Sequence, residues 1–227
     1  MTTLQKRILS AIVLAPIVVA AVWYGGVVFY GLMAAVFAIS MYEWRGLSRI
    51  DGRMQYGLLL VGAVYMGVAC LAAVWLRDHV QSGLYLLLYV MFAIWACDSG
   101  AYAAGKTFGG PKMAPKISPN KTWAGLIGGC LASAIVVTGL TAFCKDGPLG
   151  VIVPVSHTYF VHFIIGLVLA VIGQIGDLLI SILKRRAGLK DTGNIIPGHG
   201  GLLDRIDALL LALIVFASII YILEHMQ

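Results

Sequence analysis

Apolar residues run along this chain in long blocks, and polar residues gather in short clusters between them. Seven blocks are nearly free of charge: 8–23, 27–42, 57–76, 83–97, 124–143, 158–180 and 208–223. A helix needs about 20 mostly apolar residues to cross the hydrocarbon core, with roughly 17 as a lower limit. The second, fourth and seventh blocks are short and must borrow flanking residues. The pattern predicts an all-α polytopic membrane protein of about seven transmembrane helices. The first block follows Lys6 and Arg7, as the core of a signal peptide would. It lacks a small-x-small cleavage site and leads through Gly25-Gly26 into the next block, which favours a retained helix. The chain divides into four N-terminal spans, 1–97, and a C-terminal membrane region, 98–227, with two polar motif loops at 98–123 and 181–207.

Composition sharpens this picture. Of the 227 residues, 60% are apolar and 11% charged, and the mean hydropathy is +0.94. Soluble domains run at about 45–50% and about 25% on similar counts. A water-soluble globule, a disordered chain and a nucleic-acid-binding domain are excluded, and no nucleic-acid partner is expected. The net charge of +6 instead sorts by connection. Fourteen of the sixteen Lys and Arg fall at one end of the spans, leaving Arg77 and Lys145 at the other. The positive-inside rule then places the N-terminus in the cytoplasm and the C-terminus outside. Cys70, Cys97, Cys130 and Cys144 form no CxxC pair and read as packing thiols. Gly125 and Gly129, continued by Ser133, allow close helix approach, and packing within one subunit is favoured over a dimer contact.

The stretches 98–125 and 177–207, which contain the two motif loops, hold five of the ten acids and nine of the sixteen bases, and each opens with an Asp at the inner end of a span. Asp177 lies in an apolar helix, where an ionised group costs about 2.5–3.5 kcal/mol at mid-bilayer. Such a group is kept for a partner or an ion; the plain alternative is a carboxylate reaching the interface or paired with Lys184. Ser181 and Lys184 follow one and two turns on, giving a stripe of carboxylate, hydroxyl and ammonium. Asp204 and Asp207 share a face if helical. With Asp177 they make a plausible cage for a hard cation such as Mg²⁺, which prefers oxygen ligands and substrate phosphates. The alternative is acidic residues favoured by a helix N-terminus. His199 stands in a Pro197-Gly198-His199-Gly200-Gly201 turn, where it can donate to a phosphate or exchange a proton. Lys184, Arg185, Lys190 and Arg205 suit phosphates or serve as positive-inside anchors. Ser118 to Thr122 precede the fifth span and suit a phosphate or an ordinary N-cap. No GxxxxGK[ST] or GxGxxG motif is present. The residues describe a membrane-surface site for phosphoryl or nucleotidyl transfer to a lipid.

The stretch from Ser181 to Asp207, SILKRRAGLKDTGNIIPGHGGLLDRID, resembles the signature of the phosphatidate cytidylyltransferase (CDP-diacylglycerol synthase) family. Asp98-x-x-Ala101-Tyr102-x-x-Gly105 and Ile117-Ser118-Pro119-x-Lys121-Thr122 are similar to the family too. Ala124 departs from it, since many members carry Glu there. The resemblance implies transfer of CMP from CTP to phosphatidate, with Mg²⁺ required and the number of cations left open. By that resemblance Asp177 and Asp204 are metal ligands, and Asp207 is a further ligand or supports them. Lys184, Arg185, Lys190, His199 and Arg205 hold the triphosphate or phosphatidate, and Ser118, Lys121, Ser181 and Asp98 complete the pocket. Membrane lipids and a homodimer are the further partners implied, in a bacterial inner membrane. A CTP-dependent polyprenol- or phytol-type lipid kinase is the nearest enzymatic alternative. A transporter is the alternative from another class, and the scarcity of charge in the spans before Asp177 speaks against it.

Overall fold

The computed structural model describes residues 3–80, 82–143, 158–196 and 200–225. Its helices are α1 (Thr3–Tyr24), α2 (Gly26–Leu47), α3 (Tyr56–His79), α4 (Gly83–Phe108), α5 (Trp123–Phe143), α6 (Thr158–Arg186) and α7 (Leu203–His225). Each coincides with one apolar block of the sequence. Six of them are long and apolar enough to cross a membrane. Large apolar side chains point outward all round, including Val27 at 85%, Leu71 at 68% and Leu60 at 66% exposure. Such an exterior requires hydrocarbon as its solvent, because water would not tolerate that contiguous apolar area. The chain is an all-α polytopic integral membrane protein.

Neighbouring helices run antiparallel, as their cross-contacts show. On the α4–α5 face, Cβ atoms on Gly129 and Gly125 would press on the carbonyls of Cys97 and Ala101, at 2.8 and 3.0 Å. Ser133 Oγ donates to the Gly166 carbonyl of α6 at 2.9 Å. The Gly125–Gly129–Ser133 row is therefore packing within one chain: small residues let backbones close up, and contact area replaces the missing hydrophobic drive. The largest buried cluster sits between α3, α4 and α7, around Leu76, Leu86, Val90, Ala212 and Phe216.

The charged end differs from the sequence reading in one respect. The helices do not stop where the apolar blocks stop. α4 continues past Cys97 to Phe108, and α6 continues through Lys184 to Arg186. Asp98 is thus an intrahelical residue, not the start of a loop. Nothing between 98 and 108 breaks a helix; the first break is Gly109-Gly110, whose φ values of 61° and 92° disfavour any other residue. Two short hairpins complete this end. β1 (Arg49–Ile50) and β2 (Arg53–Met54) pair across Asp51-Gly52, both at positive φ. That is the Asp-Gly turn whose twist matches paired strands. β3 (Lys112–Ala114) pairs with β4 (Ser118–Thr122), and Thr122 Oγ1 accepts the Gly125 N–H at 3.0 Å as the N-cap of α5.

Candidate active site

Antiparallel packing brings the C-terminal ends of α2, α4 and α6 together with the N-terminal ends of α5 and α7. The site is built from polar side chains at those ends. Its floor is Glu43 of α2, which is 2% exposed. One carboxylate oxygen accepts the Leu202 N–H at 2.8 Å; the other accepts the Leu203 N–H at 2.8 Å and the Thr192 hydroxyl at 3.0 Å. A carboxylate across the first amides of α7 satisfies donors that no helical carbonyl can reach and opposes the helix dipole. Gly193 and Gly201 pack against that carboxylate: a Cβ on either would stand 2.7 Å from a Glu43 oxygen.

Asp204 is the second fixed acid. Its Oδ1 binds Lys184 Nζ at 2.7 Å. Its Oδ2 accepts the Thr192 backbone N–H at 2.8 Å and the Gly201 N–H at 3.2 Å, and lies 3.0 Å from the Thr192 hydroxyl, whose single proton it shares with Glu43. Both sides of the Lys184–Asp204 pair are nearly buried, at 10% and 5% side-chain exposure. Together they close the loop between α6 and α7. The Lys184 ammonium therefore belongs to Asp204, where the sequence offered Asp177 as its alternative partner.

Asp177 looks elsewhere. Its Oδ2 meets Lys121 Nζ of β4 at 2.6 Å, and its Oδ1 accepts the Ser181 hydroxyl at 3.1 Å. The second contact confirms the predicted carboxylate–hydroxyl stripe. Lys121 also donates to Gln174 Oε1 at 2.9 Å, so the hairpin is pinned to α6. Two further carboxylates lie within electrostatic reach of Asp177. Asp98 of α4 feels the negative charge of Asp177 and the positive charges of Lys121 and Arg205. Asp207 of α7 feels Asp177, Asp98 and Lys184, and its Oδ1 accepts only the adjacent Ala208 N–H, at 2.8 Å. Asp204 and Asp207 are both helical, as their spacing required, but they serve different surroundings.

These acids bear on a divalent cation. Among the described residues no three metal-ligating side chains stand close enough to form a closed cage. Both oxygens of Asp204 are engaged, by Lys184, Thr192 and Gly201, as both of Asp177 are by Lys121 and Ser181. Asp98, Asp177 and Asp207 offer hard oxygen donors from three helices, with more negative charge than Lys121 and Arg205 cancel. Mg²⁺ keeps several waters and uses one or two carboxylates plus substrate phosphates. Asp177, with Asp98 and Asp207 within electrostatic reach, supplies donors of the kind such an open site uses.

The remaining candidates lie around this centre. Arg185 is exposed and bridges two segments: its Nε donates to the Ile117 carbonyl at 3.0 Å and its Nη1 to the Leu189 carbonyl at 3.2 Å. Ser118 opens β4 opposite Ala114, half-buried. Lys190 and Arg205 are exposed on the same end. Ile196 and Gly200 exchange backbone hydrogen bonds at 2.9 and 3.2 Å. His199, with Pro197 and Gly198, lies outside the described residues. Glu43, Thr192 and Gln174 escaped the sequence reading. Glu43 carried one clue: it is an acid at the end of an apolar block in a segment otherwise dominated by Arg45, Arg49 and Arg53.

The fold and the site together define a membrane protein with a carboxylate-rich, basic-rimmed polar face at one end of its helices. Comparison with known proteins gives the class. The model of the cytidylyltransferase family matches residues 5–76 and 53–223. The chain is 38% identical over 214 residues to a phosphatidate cytidylyltransferase of Rickettsia bellii, covering 92% of this chain and 87% of that one. It is 34% identical over 268 aligned positions to the phosphatidate cytidylyltransferase of Brucella melitensis, covering 98% and 93%. A phosphatidate cytidylyltransferase of Rickettsia felis is 39% identical over 209 residues, covering 90% and 87%. The chain belongs to the cytidylyltransferase family.

Proposed function

We propose that the protein is a phosphatidate cytidylyltransferase. A phosphate oxygen of phosphatidate attacks the α-phosphorus of CTP, the bond to the β-phosphate breaks, and CDP-diacylglycerol and pyrophosphate are the products. The observation that carries this reading is the likeness of nearly the whole chain to proteins of that name, at 34–39% identity. The site supports it. The nucleophile is already an anion, so no strong base is required, and catalysis reduces to positioning and charge neutralisation.

Each group has a task within that reading. Asp177 and Asp207, with Asp98 beside them, would hold Mg²⁺, which supplies counter-charge for the triphosphate. Lys121, held by Gln174 and Asp177, places an ammonium between that centre and the hairpin. Arg185, Lys190 and Arg205 line the approach with fixed positive charge for two polyanionic substrates. Ser118 and Ser181 offer hydroxyls to phosphate oxygens. Lys184, through its pair with Asp204, keeps the α6–α7 loop closed. The assay is purified protein given phosphatidate and CTP labelled at either the α- or the γ-phosphate. Label from the α-position in lipid is expected. Transfer of γ-label alone would make the protein a CTP-dependent lipid kinase.

Placement in the bilayer follows from charge. The end that carries the site also carries the basic residues, so the reading puts this end in the cytoplasm of a bacterial inner membrane. With α1 crossing as well as the six longer spans among the described residues, the C-terminus is then periplasmic. A C-terminal alkaline phosphatase fusion should be active and a GFP fusion dark; the reverse would overturn the orientation. A homodimer completes the proposal and is read out as twice the monomer mass in detergent.

A further inference from the structure

Lys121 of β4 holds its ammonium between two acceptors on one face of α6. Nζ lies 2.6 Å from Asp177 Oδ2 and donates to Gln174 Oε1 at 2.9 Å. Gln174 and Asp177 are three residues apart in the helix and so share that face. An ammonium has three N–H donors. Two are placed, and the third meets no partner among the described residues. The Lys121 side chain keeps 17% exposure, so a ligand can reach it.

Gln174 is the one polar side chain between Phe163 and Ile175, and it is buried. An amide in a span must find its partners within the protein, because lipid offers none. Both of its ends do. Nε2 donates to Cys97 Sγ of α4 at 3.7 Å, while Oε1 takes Lys121. The Cys97 thiol spends its own proton on the Ala170 carbonyl, at 4.0 Å, so its sulfur is the acceptor for the amide. An ammonium on one side and a sulfur acceptor on the other demand the same orientation of the amide, which assigns its oxygen and nitrogen. Gly129 of α5 closes the far side: a Cβ there would stand 3.0 Å from Cys97 Sγ. The amide is clamped between α4 and the β3–β4 hairpin.

The two acceptors act differently on Lys121. Asp177 cancels its charge and is also the acid that the proposed function gives to a cation. A lysine held by Asp177 alone would compete for that carboxylate. An amide has no net charge, so Gln174 fixes the ammonium without cancelling it and leaves the carboxylates to other work. We propose that Gln174 is a positioning residue: it holds Lys121 so that the ammonium keeps its third N–H for a substrate phosphate. The nature of that phosphate rests on the proposed cytidylyl transfer; the clamp itself does not. The plain alternative is a hydrogen bond that joins helices and contributes stability alone.

The test uses the full protein in detergent. Gln174→Met keeps the length and approximate volume and removes the acceptor. Two readouts separate the roles. The first needs no turnover: an amine-reactive acylating reagent is applied to substrate-free, metal-free protein, and its product at Lys121 is followed by mass spectrometry. Lys121 should react several-fold faster in Gln174→Met than in the wild type. The second is kinetic. The KM for CTP or for phosphatidate should rise about tenfold, the scale of a hydrogen bond to a charged group, and the substrate affected is the one whose phosphate Lys121 meets. Lys121→Met should raise the same KM, and adding Gln174→Met to it should change that KM by less than about twofold, because the amide acts only through the lysine. Gln174→Asn, which withdraws the amide by one methylene, should behave as Gln174→Met does. Unchanged labelling of Lys121, wild-type KM for both substrates, or additive effects in the double variant would each overturn the proposal. A wild type that makes no CDP-diacylglycerol would defeat the proposed reaction instead, and the labelling would still decide whether Gln174 holds Lys121.

Discussion

Glu43 and Asp204 accept hydrogen bonds on both carboxylate oxygens from fixed backbone and side-chain donors. Asp177 meets two side-chain donors, Lys121 and Ser181, and lies within electrostatic reach of Asp98 and Asp207, while Asp207 is met by a single amide from its own turn. Both sets occupy one end of the same helices. The difference is the number of donors each acid finds. A saturated buried carboxylate has nothing left for a ligand and serves the fold. An under-satisfied group of like charges is unstable alone and calls for a cation. Counting donors thus separates scaffold acids from site acids that sequence spacing placed in one cage.

The sharpest test is to neutralise one acid of each set. Asp177→Asn keeps size and removes charge at the centre of the under-satisfied group. Activity should fall by about 10²-fold or more, the scale of a lost electrostatic contact in a transition state. Melting in detergent should hold steady, because relieving a crowded carboxylate offsets the lost pair with Lys121. A Mg²⁺ titration should show a raised requirement. An unaltered rate and Mg²⁺ dependence would return Asp177 to the scaffold set.

Glu43→Ala inverts the pattern. Three hydrogen bonds to a buried charge disappear, and the amides of Leu202 and Leu203 at the start of α7 are stranded. A loss of about 3 kcal/mol or more is expected, a fall in melting temperature of roughly 10 °C for a chain this long. Activity measured well below the melting point should drop less than in Asp177→Asn. If Glu43→Ala melts normally and is inactive, donor counting does not separate the two sets.

Gly201→Ala probes the same contact from the other side. The new Cβ would press on Thr192 Oγ1 and stand 2.7 Å from Glu43. The loop must then shift at its anchor, and both Glu43 and Asp204 lose a properly placed amide. A destabilisation of about 1–3 kcal/mol follows from overpacking, with activity reduced in proportion to loop displacement. Wild-type melting would show that the loop has room to give.

Much of this architecture was legible in the sequence, for a physical reason. A bilayer forces each span to be a continuous helix, so apolar blocks translate directly into α1 to α7. The ends were harder, because a bilayer sets where apolarity stops and not where a helix stops; residues 98 to 108 lie beyond the apolar block yet are helical. The Asp51-Gly52 hairpin had a local signal that went unread. Side-chain partners were the least accessible. The Asp177–Ser181 contact lies within one turn and was predicted. The partner of Asp177 comes instead from Lys121 on β4, and that of α7's N-terminus from Glu43 on α2. No periodicity along one segment encodes such contacts, since they arise only when separate helices pack.

The smallest expected effect belongs to Arg185→Lys, which asks whether a base at the rim works on the fold or on the substrate. The guanidinium spans two carbonyls, Ile117 before β4 and Leu189 after α6. Lysine keeps the positive charge, and so keeps insertion and orientation, but a single ammonium cannot reproduce a planar fork. Arg185 is exposed, so each contact competes with water, and the loss of bracing alone should reduce activity only about two- to tenfold. The two roles differ in what else moves. If the fork only braces the hairpin, kcat falls, KM for CTP stays and added salt changes nothing, because hydrogen bonds to carbonyls carry no net charge to screen. If the fork also grips phosphate, KM for CTP rises. The wild type should then lose affinity with salt more steeply than the variant, since a lost bidentate contact to an anion is a charged one. Wild-type kcat, KM and salt response in Arg185→Lys would leave it a topological anchor, and the hairpin would then be held by Lys121 alone.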